Sequence, residues 1–287
     1  MISLDPPTSP CTPVRVRARD GARLVACAHG GQVLGWSPAS DERDRLWLSP
    51  LARCGAGEAI RGGVPVVFPQ FAGRGPLPKH GLARDRAWEL DTGSDGADVA
   101  RVACRLQDDE RTRAIWPHRF TLTLVAEASG TQLSVTLAVR NDAASGGDAF
   151  TFTAALHAYL ATAVPLADVV GLAGLPAEDN AAGGAVRVLP AGPLPARGPV
   201  DLAVRGTRGP AVVRTGGDEV EVHCEGDDGF DSLVVWNPGE PHGLADVPPE
   251  GAAQFVCVEP AALTPVTLAP HATWRATAVL TALVPRP

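Results

Sequence analysis

The chain has 287 residues and a mass of 29.7 kDa, with 45% hydrophobic and 20% charged residues, enough apolar material for a sizeable core and too much for a disordered polymer. Its 25 basic and 32 acidic residues give a net charge of -7 with no basic run, which argues against a nucleic-acid partner. Nowhere do about 18 apolar residues follow one another, so no segment reads as a membrane span.

In chain order, Met1 to Val14 carries Asp5 and four prolines where a secretion signal needs a basic start and an apolar run, so a cytoplasmic location is expected. Six cysteines, at 11, 27, 54, 104, 224 and 257, lack close pairing and metal-finger spacing and read as free thiols. Leu24 to His29 and Val33 to Ser37, parted by Gly30-Gly31-Gln32, predict a hairpin. Phe120, Leu122 and Leu124 alternate with threonines, and Leu133, Val135, Leu137 and Val139 follow the turn at Ser129-Gly130, which predicts a second. Pro190 to Pro199 reads as a surface loop. Val220 to Cys224, Leu233 to Trp236, Phe255 to Glu259 and Trp274 to Val284 read as further strands, with Pro260 stopping the third and prolines confined to loops and strand ends. A dozen or more short strands without a compositional break predict an all-β fold, a large antiparallel β-sandwich in one domain spanning 1–287.

Four segments could carry chemistry. Arg61-Gly62-Gly63-Val64-Pro65-Val66-Val67-Phe68-Pro69-Gln70-Phe71 cannot be a regular strand, and it fits either a tight structural turn or a loop holding backbone near a ligand. Lys79-His80-Gly81-Leu82-Ala83-Arg84 is either a solvated basic loop or an anion site in which Arg61 and Arg84 grip a phosphate while His80 sits over the attached sugar. In Thr151 to Tyr159 the alternation places Phe152, Ala154 and Leu156 on one face and Thr153, Ala155, His157 and Tyr159 on the other. That second face suits the floor of a wet cleft, although a surface His gives the same pattern. Phe255-Val256-Cys257-Val258-Glu259 ends in a carboxylate that is either a general base or an ordinary salt-bridged Glu.

Taken together, these segments resemble the glucose-6-phosphate 1-epimerase branch of the aldose 1-epimerase family. The resemblance lies in Ile60-Arg61-Gly62-Gly63, Phe68-Pro69, His80-Gly81 with Ala83-Arg84, Trp88-Glu89-Leu90, Trp116-Pro117-His118, Leu156-His157-Ala158-Tyr159, Gly171-Leu172, Val235-Trp236-Asn237-Pro238 and Cys257-Val258-Glu259-Pro260. The chain departs from the family pattern at Leu82, Leu202, Gly239 and the Pro176-Ala177 stretch.

The resemblance implies a β-sandwich with a saccharide cleft and an enzyme that interconverts sugar anomers. His157 would be the acid that protonates the ring oxygen, and Glu259 the base that takes the anomeric proton. His80 would orient the sugar, Asp201 would bind it, and Arg61 and Arg84 would hold a phosphate. Acid and base would flank the sugar from opposite sides, with His157 protonated and Glu259 ionised at the start. No cofactor is required. A metal site is not expected, because His80, His118, His157 and Glu259 lack compact ligand spacing. The expected partner is a small sugar phosphate, with no nucleic acid and no membrane, and the expected state is a monomer. Two alternatives remain at this stage: an epimerase for unphosphorylated aldoses, and a carbohydrate-binding protein that turns nothing over.

Overall fold

The computed structural model describes residues 11–215, 219–226 and 228–283, and almost all of them belong to antiparallel sheets or the turns between strands. The first strands are β1 (Val14–Arg17), β2 (Arg23–Cys27), β3 (Gln32–Ser37), β4 (Val66–Val67), β5 (Glu89–Thr92) and β6 (Ala100–Gln107). A short helix, α1 (Glu110–Ile115), is capped by the Asp109 side chain and leads to β7 (Phe120–Ser129), β8 (Gln132–Asn141), β9 (Phe150–Leu156) and β10 (Tyr159–Ala161). Next come β11 (Asp168–Val170), β12 (Pro176–Asp179), β13 (Ala185–Val188), β14 (Leu194–Pro195), β15 (Val200–Arg205) and β16 (Ala211–Arg214). The last are β17 (Glu219–Glu225), β18 (Ser232–Asn237), β19 (Phe255–Leu268) and β20 (Thr273–Leu283).

Strands β1 to β3 form a small sheet. An eight-stranded sheet runs β13-β12-β15-β18-β19-β9-β4, with β10 also on β19, and a nine-stranded sheet runs β14-β11-β16-β17-β20-β8-β7-β6-β5. Both predicted hairpins form, as β2–β3 and β7–β8. The alternation at Phe120, Leu122, Leu124, Leu133, Val135, Leu137 and Val139 points all seven side chains into the interior. There they share one apolar cluster with Phe152, Ala154 and Leu156 of β9, Leu233 and Val235 of β18, and Val256 and Val258 of β19. Each buried Leu, Val or Phe contributes about 1.5–3 kcal/mol, so this interior holds the two large sheets face to face. Because side chains alternate, the residues between these core positions face out of the eight-stranded sheet on its other side.

Three expectations are corrected. Cys11 and Cys54, 43 residues apart, are joined in a disulfide with a Cα–Cα distance of 5.9 Å, whereas Cys27, Cys104, Cys224 and Cys257 are free and buried. The pairing is made by folding between distant loops, so spacing along the chain carries no sign of it. Pro260 does not end its strand: β19 continues to Leu268, with a bulge between Ala262 and Val266. Val258 N–H donates to Ala158 O, and Pro260, two residues on, turns its missing donor to that same side, between the stretches of β19 that pair with β10 and with β9. The Pro190–Pro199 stretch contains the short strand β14, which pairs with β11. Of the residues read from sequence, 1–10 and Val284 lie outside the described set.

Candidate functional site

Parity and register assemble the site on the outer face of the eight-stranded sheet. Val234 pairs with Glu259, Trp236 with Cys257 and with Asp201, and Tyr159 with Cys257, so these side chains stand in adjacent rows. His157 follows β9, its N–H donating to Pro65 O, and packs its ring on Tyr159 with centroids 4.8 Å apart. The irregular segment after Arg61 is sewn to this edge by Val66 and Val67, which pair with β9, and by Tyr159 N–H donating to Gly63 O. The resulting cleft of about 520 Å³ is a size suited to a small ligand. Arg61, His80, Arg84, His157, Asp201 and Glu259, the six residues singled out from sequence, all line it. Sequence reasoning missed Phe71, Arg74, Asn180 and Trp236 in the lining, and Asp246 behind it. Arg74 and Asp246 sit in turns and Asn180 opens a single 3-10 turn, where no pattern marks them, but Trp236 lies in a block that carries the family resemblance.

At the floor, His157 Nε2 lies 3.3 Å from Glu259 Oε1, and the two residues are only 6% and 1% exposed. His157 Nδ1 and Glu259 Oε2 are buried without a hydrogen-bond partner. The pair is side by side, not on opposite sides of a ligand. Burial, together with the neighbouring His80 and the positive charges of Arg84 and Arg61, holds the His157 imidazole well below its usual range. Burial and the nearby Asp201 push the Glu259 carboxyl well above its usual range, against the pull of Arg84 and Lys79. Both shifts oppose a resting state with charged His157 and ionised Glu259, because burial strips solvation from both groups. Both directions favour the neutral forms of the two side chains.

His80 adopts a left-handed backbone (φ 66) and accepts the Ala72 N–H at Nδ1, 3.4 Å away, which leaves Nε2–H as the donor of its neutral ring. Burial and the neighbouring Arg84, Lys79 and Arg61 lower its pKa to about 3, so it offers a hydrogen bond and no charge near neutral pH. The ring stands edge-on to His157 at 5.6 Å. Arg61 donates to Asp246 at 3.0 Å and to the Tyr159 hydroxyl at 2.8 Å, so it is anchored in place. Arg84 donates to Lys79 O at 3.2 Å, and Asp201 accepts from Asn180 at 2.7 Å. Arg74 is held by Glu178 and Asn180 at the exposed side. The lining thus gathers four cations against two acids in a chain whose net charge is -7.

A β-sandwich that presents a buried His–Glu pair at the floor of a cleft has the parts of an acid/base site. The aldose 1-epimerase family model matches residues 14–281, and the chain belongs to that family. It is 31% identical over 266 residues to a Cenchrus ciliaris protein whose name proposes glucose-6-phosphate 1-epimerase activity, covering 89% of this chain and 80% of that one. An Escherichia coli K12 protein with the same proposed name is 31% identical over 245 residues, covering 81% and 77%. Among solved structures, a proposed mutarotase of Salmonella typhimurium matches with a TM-score of 0.81 at 27% identity, over 92% of this chain and 88% of that one. A protein of Synechocystis sp. PCC 6803 matches with a TM-score of 0.79 at 20% identity over 99% and 100%, a likeness of fold.

Proposed function

We propose that this chain interconverts the α and β anomers of a hexose 6-phosphate, with glucose 6-phosphate as the first substrate to test. The observation that carries the reading is the 3.3 Å His157–Glu259 contact at the floor of a cleft lined by Arg61, Arg74, Lys79 and Arg84. The names of the relatives support the same choice.

The two oxygens of a hemiacetal are bonded to one carbon, so an acid and a base that serve both must be neighbours. Transfer of the shared proton from Glu259 to His157 creates the charged pair. His157 then protonates the ring oxygen while Glu259 takes the anomeric hydroxyl proton, and the C1–ring oxygen bond breaks. The pair is thereby returned to its neutral form. The aldehyde turns about its bond to C2, and the same steps in reverse close the ring on its other face. Each positioned proton-transfer group contributes about 10² to 10⁴-fold, enough for a reaction that water performs slowly. Neutral His80 donates from Nε2 to the sugar, and Asp201 accepts from a hydroxyl. The phosphate is remote from C1, and its binding to Arg84 and Arg61 positions the ring.

Arg84→Ala tests the phosphate, because Arg61 also anchors Tyr159 and Asp246. Loss of charge-assisted hydrogen bonds worth about 1.5–3 kcal/mol lowers kcat/KM for glucose 6-phosphate by roughly 10 to 150-fold. Turnover of plain glucose, followed by polarimetry, should change by less than about threefold. Equal losses on both sugars would favour an unphosphorylated aldose, and no turnover of either would favour a binding protein.

A further inference from the structure

Beside the proton-transfer pair lies a thiol that the proposed anomerisation does not use. Cys257 and Glu259 are two residues apart on β19, so both side chains leave the same face of the sheet. A ring nitrogen of His157, Cys257 Sγ and a Glu259 carboxylate oxygen all lie within 4.8 Å of one another, and all three residues are buried. The unpartnered His157 Nδ1 and Glu259 Oε2 are the kind of buried polar atoms that normally acquire a partner.

We propose that His157, Cys257 and Glu259 form an inhibitory site for a zinc-type divalent cation. Zinc bonds of about 2.0–2.3 Å to nitrogen, sulfur and oxygen place tetrahedral ligand atoms roughly 3.3–3.8 Å apart, so side-chain shifts of about 1 Å close the present triangle. Binding releases the Cys257 thiol proton and the Glu259 carboxyl proton to solvent in the cleft, and the resulting thiolate beside an imidazole selects zinc or cobalt over magnesium and calcium, which take oxygen donors. The cleft gives the ion a route in, since His157 and Glu259 line it, and water from the cleft completes the fourth position. The captured side chains are those proposed to move protons, so a bound cation excludes anomerisation. Removing the cation restores it.

The binding arm of the test does not depend on the proposed substrate. Titrating the full chain with cobalt(II), its Cys11–Cys54 disulfide closed, should give one bound ion per chain with a thiolate-to-metal absorption band, displaced by zinc. Cys257→Ala, or Cys257→Ser if the first variant fails to fold, should lose that band. In the activity arm, zinc should inhibit the wild type and a chelator should relieve it. The inhibition constant should rise at least about tenfold in the Cys257 variant, whose metal-free activity stays near wild type. A thiolate band that survives in the Cys257 variant, or none in the wild type, overturns the proposal.

Discussion

Glu259 is where burial, proton chemistry and stability meet. Its carboxyl pKa is raised in the folded protein, so below the usual value near 4.5 the folded and unfolded chains both hold the proton. As pH rises past that point the unfolded chain releases its proton and the folded chain keeps it, so this group's contribution to stability falls with rising pH. His157 has the opposite sign: its lowered pKa costs stability as pH falls through its usual value of 6.5. Glu259→Gln preserves the shape and removes the ionisable proton. The variant should lose at least about 100-fold in activity. Its melting temperature should exceed that of the wild type near pH 8, and the gap should close toward pH 4. A melting temperature lowered at pH 8 would mean that Glu259 is ionised in the fold and paired with a protonated His157.

Among the elements, the loop that carries His80 depends on a close backbone approach. Gly81 has φ 76, and a Cβ there would lie 2.0 Å from Phe68 O, beside the bridge between Phe68 and Gly81. Gly96 has nearly the same φ, 74, and a Cβ there would meet nothing within 4 Å. Gly96→Ala therefore carries only the left-handed penalty of about 1–2 kcal/mol, whereas Gly81→Ala adds a backbone clash. Urea denaturation should show a larger loss of stability for Gly81→Ala, and its activity should fall as His80 is displaced. Equal losses in the two variants would contradict the close approach. The β19 strand makes a related point: a proline is tolerated inside a sheet where the neighbouring strand changes and no donor is called for.

At the scale of the molecule, side chains from the small sheet and both large sheets belong to one apolar cluster, which includes Trp36, Trp116 and Trp274. Thermal unfolding followed by far-UV circular dichroism and by tryptophan fluorescence should give coincident single transitions. Two separated transitions would show that part of the sandwich unfolds by itself. The same scale explains the charge distribution. The acidic excess lies outside the cleft, and the cleft lining gathers four cations, an arrangement that raises the local positive potential there.

Much of this was legible in the sequence, because alternation and turn chemistry are local. Leu122 and Leu137 mark the core face of their strands, Gly130 marks the turn between them, and the parity of His157 against Leu156 already puts the imidazole away from the core. The family resemblance supplied the site residues that parity alone left ambiguous. What only the tertiary structure decided depends on which strands become neighbours. The side-by-side contact of His157 with Glu259, the reversed directions of their pKa shifts, the Cys11–Cys54 link and the approach of Cys257 to His157 all join residues far apart in the chain. Periodicity reports the direction in which a side chain leaves its own strand. It carries no information about the residue it meets or how much water remains between them, and those two quantities set the chemistry.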